Sequence, residues 1–188
     1  NTPDHLANYM LLRDSKKPQI VHIPSFNGFL SPRYGIQSNI LDIRNWRSNI
    51  VFNLSFEDIN QIRYTDYLNK NNSYFLKTDP FELFNSKSQS ISFNTQEVLV
   101  LLNSFKNLNC EAFKKEEYKQ NIKRNPLEEL IVNHDTLRTY RVSKIDSQHE
   151  DKNFTVERKY ARINNGEVML IQDYVFNKVL ININELTR

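Results

Sequence analysis

The chain has 188 residues, 39% hydrophobic and 25% charged, with 25 basic and 22 acidic side chains and a formal net charge of +3. This is enough apolar material for one domain plus an arm, it argues against wholesale disorder, and its small charge excess gives no electrostatic case for nucleic acid. Three glycines (Gly28, Gly35, Gly166) exclude Gly-rich phosphate loops, the single Cys110 excludes an internal disulfide, no Cys/His spacing suits zinc, and no apolar run approaches the roughly 18 residues of a membrane helix.

In chain order, residues 2–14 read as a short helix: Thr2 caps it, Pro3 takes the first position, and Leu6, Tyr9, Met10 and Leu12 form its apolar face. Residues 19–24 read as an edge or arm strand between Pro18 and Pro24, with His22 as a structural residue. Residues 25–35 form a loop whose Phe26, Phe29 and Tyr34 pin it to a core. A helix follows over 39–53, with Ile40, Ile43, Trp46, Ile50 and Val51 on one stripe. A second begins at the Ser55 cap and carries Phe56, Ile59, Ile62, Tyr67 and Leu68 to about residue 70. TDPFELF (78–84) reads as a small helix start and SISF (90–93) as a strand. EVLVLLNSF (97–105) reads as a strand because it is short and β-branched. Residues 106–126 are an exposed helix or a hairpin excursion ended by Pro126, and 127–134 return to strand.

The last fifty residues alternate as an antiparallel meander: TLRTYRVSKID, FTVERKYARI, EVMLIQDYVF and KVLININEL. Asn164-Asn165-Gly166-Glu167 joins the second and third runs, with Asn-Gly supplying the positive φ angles of a type I′ turn. Helices come first and a sheet last. The expected fold class is therefore α+β, with helices packed on a curled antiparallel sheet. The expected domains are an N-terminal helix and extended arm over 1–36 and a single α+β domain over 37–188. The chain begins at Asn1 rather than methionine, the mark of a fragment or a processed product.

The side chains offer no catalytic constellation. His134 and Asp135 are neighbours on a strand and point to opposite faces. Cys110 has no histidine near it, and Glu116-Glu117 and Glu128-Glu129 read as surface pairs. Lys114, Lys115, Lys119, Lys123 and Arg124 interleave with acids, as on a salt-bridged exposed helix. Tyr140, Phe154, Tyr160, Tyr174 and Phe176 alternate with charges, as in a sheet with one buried face. No catalytic, cofactor-binding or metal-binding residue is assigned, and no cofactor is expected. A ligand pocket on the same fold would draw on His134, Asp135, Tyr160 or Asp173. Nucleic-acid binding would need Arg138, Arg141, Arg158 and Lys159 to share one face with the basic residues of 106–126.

Three stretches carry a family resemblance. IVHIP precedes a Gly-containing loop. Asn53-Leu54-Ser55-Phe56-Glu57-Asp58 matches a φ-N-[LV]-[ST]-x-[ED] turn, and Tyr74-Phe75 matches an aromatic element. The ending FTVERKYARINNGEVMLIQDYVF completes the pattern. Over residues 19–176 this resembles the TraE/DotI-type components of type IV secretion systems. It departs from their better-known branch in lacking an Asn-Pro-x-Gly motif near the end of the sheet. The resemblance implies a nuclear-transport-factor-like or cystatin-like roll in the periplasm, on a protein anchored in the bacterial inner membrane by a segment absent from this chain. It implies a non-catalytic scaffold of the secretion or conjugation apparatus that self-associates weakly and contacts other channel subunits.

Overall fold

The computed structural model describes residues 2–3, 7–26, 44, 47–114, 122, 125–142 and 157–188. The chain divides into two units, Asn1–Arg47 and Ser48–Arg188. In the first, β1 (Asn8–Met10) pairs antiparallel with β2 (Gln19–Val21), Tyr9 opposite Ile20. The strand expected at 19–24 is therefore present in part. The helix expected over 2–14 is not: Thr2 bonds back to Ala7 through both its hydroxyl and its amide, and the chain continues extended into β1. Of the loop expected over 25–35 only residues 25 and 26 are described, and of the helix expected over 39–53 only 44 and 47–53. That helix does not reach its expected end, because 50–52 are strand.

The second unit begins with β3 (Ile50–Phe52) and one 3-10 turn over Phe56–Asp58. Then come β4 (Gln61–Asp66), β5 (Tyr74–Thr78), β6 (Phe81–Asn85), β7 (Ser90–Ile91) and helix α1 (Thr95–Asn103). Two short strands, β8 (Leu108–Asn109) and β9 (Ala112–Phe113), precede β10 (Glu128–Val132), β11 (Asp135–Arg141), β12 (Arg158–Ile163) and β13 (Val168–Gln172). Two single-turn helices, α2 (Asp173–Phe176) and α3 (Ile183–Leu186), end the chain. The main sheet has nine antiparallel strands in the order β7-β6-β5-β4-β10-β11-β12-β13-β9, and β3 and β8 form a separate ribbon. The expected α+β roll is thereby overturned. The protein is β-rich, its described helices are three and short, and its sheets are not curled.

The local physics explains each correction. The Ser55 cap forms as read: its amide and hydroxyl both donate to Asp58 Oδ2, at 2.9 and 2.7 Å. The helix nevertheless stops after one turn, because Ile62 and Tyr64 alternate with polar Gln61, Arg63 and Thr65, and period two buries both against the core. TDPFELF is a strand-turn-strand: Asp79-Pro80, joined by a cis peptide, turns β5 into β6. The run expected as strand at 97–105 is α1. Asn94 caps it by accepting the Gln96 amide at 2.9 Å, and Val98, Leu101, Leu102 and Phe105 recur at helical spacing on one buried stripe. The final expected strand, KVLININEL, is instead a buried turn through Val179 and Leu180 followed by α3, capped by Asn182.

Two meanders run outward from the central antiparallel pair β4–β10, one through β5, β6 and β7, the other through β11, β12 and β13. Each ends in a helical segment, and these segments pack on the same face. Val98, Leu101, Phe176, Ile183 and Leu186 share one core with Ile62, Leu76, Leu83, Leu130 and Leu137 from the sheet. A smaller cluster of Tyr140, Tyr160, Val168 and Leu170 occupies the opposite face of the second meander.

Candidate functional site

The face of the first meander that the helices leave uncovered carries the most distinctive side-chain arrangement. Alternation sends Arg63 outward from β4, Phe75 and Lys77 from β5, and Phe84 from β6. Register makes Arg63, Phe75 and Phe84 successive cross-strand neighbours. The Arg63 guanidinium sits 4.7 Å from the centre of the Phe75 ring. Phe75 and Phe84 stack with centroids 6.0 Å apart and planes 26° apart. Lys77 Nζ lies 5.5 Å over Phe84 and 3.3 Å from Glu82 Oε2. These contacts hold the two cations where long side chains would otherwise sample many rotamers.

The β4–β5 loop completes the rim. Asp66 Oδ1 accepts the Leu68 and Asn69 amides at 2.8 and 2.9 Å, and its Oδ2 accepts Asn72 Nδ2 at 2.7 Å. This fixes the turn that presents Tyr67 and Lys70. The Tyr67 phenol is pushed above its usual range by partial burial and then by Glu129. The groove has a volume of about 660 Å³, and the described residues lining it include Arg63, Lys70 and Lys77 and no carboxylate. Chemically it is a fixed set of cations and ring edges. The described residues lining it include no histidine, cysteine or carboxylate.

The covered face holds a second polar cluster. Glu128 accepts from Thr139 Oγ1 at 2.6 Å, from Tyr64 Oη at 3.3 Å and from Lys159 Nζ at 3.0 Å. Lys159 also lies 3.6 Å from Asp173 Oδ1, a buried oxygen with no hydrogen-bond partner. Desolvation, and next the charge of Glu128, hold the Tyr64 hydroxyl well above the ordinary tyrosine range. This network clamps β4, β10, β11 and β12 together. Among the described residues, no group of three or more His, Cys, Asp or Glu side chains is placed to hold a metal ion.

The residues weighed in the sequence are scattered. His22 is exposed beyond β2. His134 is exposed in the β10–β11 turn, Asp135 bonds Asn164 Nδ2 at 2.8 Å, Tyr160 is buried in the smaller cluster, and Asp173 meets Lys159 on the other face. They form no common pocket. Cys110 is buried in the core. Glu128 and Glu129 are not a surface pair: Glu128 turns into the covered face, and Glu129 turns outward to bond Arg138 at 2.6 Å. Strand alternation puts Arg138 and Arg158 on one face and Arg141 and Lys159 on the other, and Arg158 is paired with Glu111 at 2.7 Å. Phe176 is core and Tyr174 is exposed, whereas Phe154, Glu116, Glu117, Lys115, Lys119, Lys123 and Arg124 lie outside the described residues.

No family model matches the chain, and no curated protein and no solved structure matches it. Sequence reading missed the groove because it assigned residues 55–70 to a helix and 78–84 to a helix start. The available signal was the period-two run Gln61-Ile62-Arg63-Tyr64-Thr65, followed by Tyr74-Phe75-Leu76-Lys77.

Proposed function

We propose that the domain is a non-catalytic assembly module whose outer groove binds an acidic segment of a partner protein. The observation that supports this reading most directly is the Arg63–Phe75–Phe84 row with Lys77 and Lys70 beside it. Phe75 lies between Arg63 on β4 and Phe84 on β6, so its free edge carries the positive side of the ring quadrupole. Cations and ring edges together favour carboxylates. A single-stranded nucleic acid would need open ring faces for base stacking, and Phe75, between Arg63 and Phe84, offers none. The sequence resemblance would set such contacts in a secretion channel. The proposal rests on the groove and not on that resemblance, because the roll it implies is not the fold formed.

Fluorescence anisotropy with labelled peptides tests the reading. A Glu/Asp-rich peptide is expected to bind, a Lys-rich peptide of equal length is not, and affinity falls as salt rises. The double substitution Arg63→Ala, Lys70→Ala weakens binding at least tenfold, about 1.4 kcal/mol, with an unchanged melting temperature. Equal affinity for both peptides, or tighter binding of oligothymidylate than of the acidic peptide, refutes it.

A further inference from the structure

The first unit carries an apolar surface of its own. Residues 11–18 connect β1 to β2 in an ordered turn: the Ser15 amide donates to Leu12 O at 3.0 Å, Asp14 takes a left-handed φ of 70°, and Ser15 Oγ donates to Lys17 O at 2.9 Å. That turn presents Leu11 and Leu12 to solvent, 63% and 72% exposed. Directly behind them the cross-strand pair Tyr9 and Ile20 is 49% and 60% exposed. A two-stranded ribbon is marginal in water on its own, and leaving its largest apolar side chains wet adds to that cost. Arg13, Lys16 and Lys17 are exposed in the same turn. Asp14 is the single acid between residues 8 and 21.

We propose that this hairpin seats on an anionic lipid surface. Leu11 and Leu12 enter the boundary between headgroups and acyl chains, Tyr9 lies at the headgroup level, and Arg13, Lys16 and Lys17 meet lipid phosphates. Charge complementarity selects this occupant: two adjacent leucines are followed, within the same seven residues, by three cations and one acid, the mixture of an interfacial segment. A protein-docking strand pair would instead present its apolar residues on a flat face. Here two exposed leucines, Leu11 and Leu12, stand in the turn itself. The inference is independent of the groove, which lies in the other unit.

The test is co-sedimentation of the whole chain with unilamellar vesicles, either pure phosphatidylcholine or phosphatidylcholine with about a third phosphatidylglycerol. Binding is expected to the anionic vesicles and to weaken with salt. Lys16→Gln with Lys17→Gln lowers partitioning about 25-fold, at about fivefold per cation. Leu11→Ser with Leu12→Ser lowers it at least tenfold at constant charge. The groove variant Arg63→Ala, Lys70→Ala serves as control and partitions like the parent. The proposal is overturned by absence of binding, by binding that the leucine substitutions leave unchanged, or by loss of binding in the groove variant. A concentration-dependent dimer that the leucine substitutions abolish, without vesicle binding, makes the hairpin a self-association surface and overturns it as well.

Discussion

Tyr74 shows what a single buried oxygen does to this sheet. Its ring packs 5.6 Å from that of Tyr64 in the core, and its hydroxyl is buried with no hydrogen-bond partner. An orphaned buried hydroxyl costs about 1–3 kcal/mol. Tyr74→Phe keeps the ring and removes the orphan, so it is expected to stabilise the protein by about 1 kcal/mol in urea denaturation, where most core substitutions destabilise. The same burial controls ionisation. Desolvation raises the Tyr74 hydroxyl well above the ordinary tyrosine value, and Tyr64 is raised by desolvation and then by Glu128. The sign follows from linkage: a raised acid stays neutral in the folded state while its unfolded counterpart ionises near pH 10. The contribution of these two groups is therefore fully present below about pH 10 and is lost as pH rises beyond it. Absorbance titration near 295 nm should find at least two of the nine tyrosines, Tyr64 and Tyr74, silent at pH 11 while the fold persists. Nine titrating tyrosines in folded protein would contradict the burial argument.

At the scale of elements, α1 is the main helical cover of the sheet, and its stripe makes a sharp contrast. Leu101 is fully buried in the core, whereas Val100 beside it is exposed. Leu101→Ala should cost about 2–5 kcal/mol through lost burial and the cavity left behind. Val100→Ala should stay within about 0.5 kcal/mol, since it also trades a β-branched residue for the best helix former. Chemical denaturation of the two variants measures both. The elements also show what the sequence does and does not reveal. The β12–β13 hairpin was legible because its turn chemistry is local. Asn164 takes a left-handed φ of 48°, and the Gly166 amide closes onto Ile163 O at 2.9 Å. The positive φ falls one residue earlier than the Asn-Gly pair suggested. Gly166 matters through space instead, because a Cβ there would lie 3.1 Å from Ile163 O. Strands β10, β11 and β12 were legible from alternation. By contrast, β4 was hidden by the Ser55–Asp58 cap, a strong helix signal that ends after one turn. Helix α1 was hidden by β-branched valines in a window too short to show its period. The groove depends on two misassigned segments, 55–70 and 78–84, meeting across residues 74–77, to which the sequence reading gave no element; once both are read as helical, the consecutive strands β4, β5 and β6 cannot be seen to pair.

The whole second unit turns on the seam where the two meanders meet. Backbone bonds between β4 and β10 are reinforced at one end by Asn133, the left-handed residue of the β10–β11 turn at φ 54°. Its Oδ1 accepts the Asn60 amide at 2.8 Å, its Nδ2 donates to Asp58 O at 2.7 Å, and its own amide donates to Gln61 O at 3.0 Å. One side chain thus ties the turn of the second meander to the entry of the first. Asn164 repeats the device one hairpin further on, through the Thr136 amide at 2.9 Å and Asp135. Asparagine suits both places, since it tolerates a left-handed backbone and offers both a donor and an acceptor. Asn133→Ala removes three side-chain hydrogen bonds, from the Asn60 and Gln61 amides and to Asp58 O, and places a Cβ residue without local support at positive φ, so a loss of about 2–4 kcal/mol is expected. Asn133→Gly removes the same hydrogen bonds but relieves the backbone. It should retain about 1 kcal/mol more stability than the alanine variant. Equilibrium denaturation of the two variants separates these contributions. Equal losses would mean that the backbone conformation is incidental, and two near-neutral variants would mean that the meanders are held by burial alone. A loss in the expected range with the glycine variant intermediate would make the seam a specific polar joint between the two meanders of one sheet.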